Sequence, residues 1–203
     1  MQIPRLSVLA LASVLVVPSS FAQFADAVIA YVPGAGVSAS YTNPATALGE
    51  PSRVTPGVFG GPVDPFDSAY LGSQLASVGA GGSLTLQFNA PIANDPAHPF
   101  GLDFIIFGNA DFTITNGNYS GGGSTRVSVS ADGVNFSTLN PALAPTVDNL
   151  FPTDGAENFS LPVNPALTAT HFAGLGLAGI AARYAGSGGG AGYDLAWAQD
   201  TNG

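Results

Sequence analysis

The chain contains no cysteine and no lysine, and it has only two histidines among 203 residues. Without cysteine there is no thiol catalysis, no thiolate-bound metal and no disulfide. The fold must therefore rest on buried side chains and backbone hydrogen bonds. Without lysine, 13 carboxylates face four arginines, Arg5, Arg53, Arg126 and Arg183, and the net charge is -9. A surface this acidic repels nucleic acid and anionic lipid. It either draws divalent cations or only keeps the protein soluble, and composition does not choose between them.

Catalytic signatures are missing as well. No H-E-x-x-H pair, G-x-S-x-G elbow, phosphate-binding loop or dinucleotide fingerprint occurs. Gly186-Ser187-Gly188 lies in a glycine run that reads as a flexible turn. His98 sits in a proline-flanked loop and His171 beside an apolar segment. A glycosidase needs two carboxylates at a set separation. Glu50 and Glu157 are the only glutamates, and Asp103, Asp111 and Asp194 are better placed, on or beside strands. The sequence predicts a protein that is not an enzyme, with a glycan-active hydrolase or lyase as the lesser alternative.

A long apolar run is absent after the N-terminus. Met1 to Arg5 is short and positively charged, Leu6 to Val17 is apolar, and Pro18 ends the run before Ser20-Phe21-Ala22. That is the layout of a secretory signal peptide over residues 1–22. The run is too short for a membrane span, and none follows it. The predicted product starts at Gln23 and is exported, either secreted or at the cell surface.

What is present is glycine, proline and short alternating segments. The 27 glycines and 16 prolines punctuate a chain rich enough in apolar residues to fold as one domain over 23–203. Ala27 to Tyr31 and Ser83 to Phe88 read as strands. Gly34 to Leu75 is long and irregular, the mark of a binding or lid region. Leu102 to Phe107 is apolar on both faces apart from Asp103, as in a central strand. Thr125 to Phe136 reads as a hairpin turning tightly at Asp132-Gly133. Strands are also expected at Asn158 to Leu161 and Tyr193 to Ala198, with Thr170 to Ala182 either strand or short helix. The fold class is all-β, a single antiparallel sandwich of jelly-roll type with long irregular loops.

Two chemistries stand out. Asp103, Asn109 and Asp111 place three oxygen-bearing side chains within nine residues, and Asp194 adds another carboxylate near a strand. Calcium takes six to eight hard oxygens and suits such a set. Strand alternation puts Asp103 and Asn109 on one face if the strand runs that far. The same residues serve equally as acceptors for strand-end and turn amides. Aromatic residues gather around the same motifs. Phe112, Asn118 and Tyr119, beside glycines 121–123, are the candidate ligand contacts, whereas Trp197 reads as core on a face shared with Tyr193 and Leu195. Asn-x-Ser sequons at Asn118, Asn135 and Asn158 matter only in a glycosylating host.

Five motifs occur in order: "ALGEP" at 47–51, "VGAGGSLTLQF" at 78–88, "GLDFIIFGNADF" at 101–112, "VSVSADGVNF" at 127–136 and "AGYDLAWA" at 191–198. Together they resemble a group of bacterial exported surface proteins, many ending in a PEP-CTERM-type sorting tail. "SADGVNF" is similar to the S-x-D-G-x-x-F/W turn of discoidin-like, galactose-binding-like jelly rolls. The resemblance implies a sugar-binding module whose loops calcium supports. It also implies a further strand and a sorting segment after Gly203. That group often has "DFxVFEN" where this chain has Phe107-Gly108-Asn109, so a carboxylate is missing at 108. The functional expectation is a non-catalytic, calcium-supported binder of a glycan or extracellular polysaccharide. The alternative is a structural or adhesive matrix protein.

Overall fold

The structure is a computed structural model that describes residues 23–113, 118–121 and 123–199. The predicted signal peptide and the residues beyond 199 lie outside that set. Among the described residues, ten short strands lie in five antiparallel pairs, with two short α-helices. The fold is sheet-rich, and among the described residues the pairs do not join into a larger hydrogen-bonded sheet.

β1 (Ala27–Val32) pairs with β4 (Ser83–Gln87) where alternation predicts strands, with a bulge between Val28 and Ala30. Within the irregular stretch, β2 (Val54–Thr55) and β3 (Gly61–Pro62) form a small hairpin. The apolar "LDFIIF" segment supplies β5 (Phe104–Ile106), shorter than its composition suggests, paired with β10 (Ala191–Tyr193). β6 (Asp111–Phe112) pairs with β7 (Tyr119–Ser120), and β8 (Ser128–Val129) with β9 (Ser137–Thr138).

Two apolar clusters hold these pieces together. One joins Phe112, Phe151, Val163, Phe172, Ile180 and Tyr184. The other packs Leu139, Ala191 and Tyr193 against Phe104, Ile106, Val127, Val129 and Trp197. Fully burying such side chains stabilises by about 1.5–3 kcal/mol each.

The ambiguous segment is helical. α1 (Ala169–Phe172) starts where the Thr168 amide donates to His171 Nδ1 at 3.0 Å, so His171 caps its own helix. α2 (Leu177–Tyr184) buries Ile180 and Tyr184, four residues apart on one face.

Several local expectations change. Asn158 to Leu161 is a turn that touches Ser187 through one parallel bridge. Beyond Tyr193 the chain leaves the sheet, and Leu195–Trp197 is a 3-10 turn, so Trp197 shares no strand face with Tyr193. Asp132-Gly133 is not a two-residue hairpin turn, because residues 130–136 form a longer loop around Asp132. That carboxylate accepts from the Val134 and Asn135 amides, both at 2.8 Å, and from Asn135 Nδ2 at 2.7 Å. The run from Ser187 to Gly190 is buried, not a loose turn. Gly189 (φ 80) lies against the Pro152 carbonyl and Gly190 (φ 81) against Ile105, positions that need both positive φ and the absence of Cβ.

Candidate ligand-binding site

Asp103 stands immediately before β5, its side chain fully buried. One oxygen accepts the Asp95 amide at 2.9 Å and His98 Nδ1 at 3.0 Å. The other accepts the Leu195 amide at 2.8 Å. Burial pushes this carboxyl up, but the Asp95 and Leu195 amides, with His98, outweigh it and hold the pKa below the ordinary carboxylate value. Asp103 is a staple between the loop before β5 and the chain leaving β10. Asp194 caps the adjoining 3-10 turn, accepting the Ala196 amide at 2.7 Å.

Asn109 and Asp111 lie past the end of β5, so strand alternation from Asp103 does not reach Asn109. The Asn109 amide donates to Asp148 Oδ1 at 2.9 Å. That same Asp148 oxygen fills the space a Cβ on Gly108 would need, which explains the glycine there. Asp111 pairs with Ser120 across β6–β7. Burial raises its pKa and the nearby Asp67 charge adds to the rise, against a hydrogen bond from Ser120. Among the described residues, no group of three or more His, Cys, Asp or Glu side chains comes together to hold a metal ion. Within the predicted ligand set, both Asp103 oxygens accept hydrogen bonds and Asp194 accepts the Ala196 amide.

The three candidate ligand contacts do come together. Phe112, Asn118 and Tyr119 line one cavity of about 230 Å³ with Leu150, Phe172 and the two alanines of α1's rim, Ala169 and Ala173. β6–β7 brings the first three side by side, and the Phe112 amide fixes that pair to the Pro65 carbonyl at 2.7 Å. Phe112 stacks on Phe172 at 5.2 Å and meets Tyr119 edge-on at 5.7 Å. The Tyr119 hydroxyl is buried and has no hydrogen-bond partner. Burial first, then the Asp148 and Asp111 charges, push its pKa far above the ordinary phenol value, so it stays a neutral donor.

A second cavity of about 150 Å³ shares Leu150 with the first as a wall. Trp197, Asn149, Leu102 and Val163 are among its walls. Asn149 Oδ1 accepts the Phe151 amide at 3.1 Å, leaving its NH₂ group available. Each cavity thus offers aromatic surface and one asparagine.

The chain matches no family model, no curated protein and no solved structure.

Asp148, Asn149, Leu150 and Phe172 escape sequence reasoning. A faint signal exists in "DNLF" at 148–151, where two polar residues interrupt a proline- and leucine-rich stretch. Its meaning depends on β5 and β6 arriving beside it from some forty residues earlier. Trp197 reads as core, and it does pack on the Tyr193 cluster, yet it also walls the second cavity.

Proposed function

We propose that this protein is an exported, non-catalytic binding protein that takes a short glycan along the two cavities that share Leu150. The observation that carries this reading is the repetition. Each cavity pairs apolar aromatic surface with an asparagine, and Leu150 is the wall common to both. Sugar rings present an apolar face and hydroxyls that exchange hydrogen bonds with amides, and ligand sites combine apolar walls with few polar groups in this manner. A chain of two rings suits two small cavities better than one bulky ligand does. Calcium has no part in this reading, because two of the four predicted ligands, Asp103 and Asp194, are engaged by backbone amides. The sandwich of jelly-roll type belongs to the same proposal, as does export through residues 1–22. No described helix is long and apolar enough to cross a membrane.

Trp197 is the only tryptophan and walls the smaller cavity, so its fluorescence reports occupancy without a label. Titration with neutral di- and trisaccharides should shift its emission saturably, and Asn149→Ala and Tyr119→Ala should each weaken the response at least tenfold. A flat emission across a broad set of neutral and acidic oligosaccharides would refute glycan binding. The structural or adhesive alternative is favoured by one separate feature, an apolar tip on the β2–β3 hairpin.

A further inference from the structure

The β2–β3 hairpin ends in Pro56 to Gly60, and its two central side chains face solvent almost completely. Val58 is 94% exposed and Phe59 is 88% exposed. Isolated apolar residues on a surface are ordinary, but two adjacent ones at a protruding tip are not. The tip is also fixed in place. The Gly60 amide donates to the Gly57 carbonyl at 3.1 Å, and the Tyr70 hydroxyl donates to the Phe59 carbonyl at 3.1 Å. Gly60 packs so close to the Thr55 carbonyl that a Cβ there would collide. Phe59 is thus presented as a pre-organised knob, which cannot relieve its exposure by folding back.

The same chain carries a hole of matching size. A cavity of about 150 Å³ lined by aliphatic and aromatic side chains is enough for a benzene ring. The cavity of about 230 Å³ between Tyr119, Phe172 and Leu150 accommodates a phenylalanine ring with room beside it. Local charge does not oppose this occupant. Asp111 and Asp148 stand near the cavity, close enough to Tyr119 to raise its pKa. The segment from Val54 to Val63 bears no ionisable side chain, so the tip approaches an acidic rim without repulsion.

We propose that Phe59 of one copy inserts into the cavity lined by Tyr119, Leu150 and Phe172 of a second copy, linking the chains head to tail. Knob and hole are different surfaces, so the contact is heterologous and need not close on itself. It is weak singly. One aromatic side chain hides about 150–250 Å², whereas a standard interface hides roughly 800 Å² per partner. The net charge, -9 for the full chain and one unit more negative from Gln23 onward without Arg5, opposes association, and salt screens that repulsion. Assembly therefore strengthens with concentration and with salt. The inference shares its cavity with the proposed glycan site, so a bound glycan competes with Phe59; it does not require that glycans bind.

Sedimentation equilibrium across a wide concentration range, at low and at high salt, tests it on the chain from Gln23 onward. The wild type should show association that rises with salt. Phe59→Ala retains the hole and loses the knob; Ala169→Phe, at an exposed helix position, narrows the hole and retains the knob. Each should be monomeric alone, and an equimolar mixture should form dimers that grow no further. A monodisperse wild type at every concentration and salt overturns the proposal. So does association that survives Phe59→Ala, or that Ala169→Phe leaves intact, since the tip then docks elsewhere. Phe59-dependent binding to phosphatidylcholine vesicles, with no self-association, would overturn it in favour of a lipid surface. Failure of the saccharide titration alone leaves assembly standing, and failure of assembly alone leaves the glycan site standing.

Discussion

Replacing Asp103 by alanine should destabilise the fold severely, although sequence alone makes this residue a metal-ligand candidate. Its fully buried carboxylate accepts the Asp95 amide at 2.9 Å, the Leu195 amide at 2.8 Å and His98 Nδ1 at 3.0 Å. Hydrogen bonds to charged groups contribute about 1.5–3 kcal/mol, and a buried donor left without a partner costs about 1–3 kcal/mol. Losing the pair of amide bonds together with the imidazole contact gives a cost of about 3–6 kcal/mol, allowing for partial relaxation. For a chain of this size each kcal/mol moves the thermal midpoint by roughly 2–4 °C, so a fall of roughly 6–24 °C is expected. Asp103→Asn keeps one acceptor but sets its NH₂ against an amide donor, and should fall about half as far. The pH dependence follows from the direction of the shift. A carboxyl whose folded pKa lies below its unfolded value, 3.8, stabilises the fold above that value. The contribution is lost as pH falls through the folded pKa. Circular dichroism melts from pH 7 down to pH 2 should therefore show an acid-side decline in the wild type that is smaller in Asp103→Asn. A midpoint change below about 2 °C for Asp103→Ala would refute the staple. So would a calcium-induced rise of roughly 5–11 °C, the size expected near a hundredfold excess over the dissociation constant, if Asp103→Asn abolished it.

Phe112→Ala removes a side chain that is 1% exposed and packed on Phe172, Tyr119 and Phe66; urea unfolding should register a loss of about 3–5 kcal/mol. Asp111→Asn removes a charge disfavoured by burial and by Asp67. Its thermal midpoint should rise at pH 7, and the gain should shrink as acid protonates the wild-type carboxyl, which its raised pKa makes happen earlier than for an ordinary aspartate. Gly108→Ala drives a methyl group into Asp148 and should cost about 1–3 kcal/mol in urea unfolding. By displacing Asp148 from the Asn109 amide it should also weaken the saccharide response of Trp197.

The alternation of "AVIAYV" and "SLTLQ" and the apolar "FII" segment identify β1, β4 and β5, because a period of two is a local property. The cluster of Phe112, Asn118 and Tyr119 is likewise legible, since one short β-pair joins Phe112 to Tyr119 and Asn118 directly precedes it, its carbonyl accepting the Thr113 amide. Asp103 is legible in two roles, as a metal-ligand candidate and as an acceptor for strand-end amides. An aspartate within an apolar run signals that something must satisfy it, and only the folded chain shows that amides 92 and 8 residues away do so. Trp197 is misplaced by extrapolating strand alternation past Tyr193, where the Asp194 cap turns the chain into a 3-10 turn.

Composition alone determined that this protein has no thiol chemistry, no disulfide and an acidic, lysine-free surface, because those properties require only counting. Local pattern determined where short strands form. Tertiary structure decided everything that depends on distant segments meeting. It set Asp148 against Gly108, occupied both oxygens of Asp103, and made Leu150 a wall of two cavities. It also left Phe59 in solvent although the residue is as apolar as the buried phenylalanines. Burial is a property of what surrounds a side chain, and in a chain of short strands and long connections those surroundings are assembled from residues far apart in sequence.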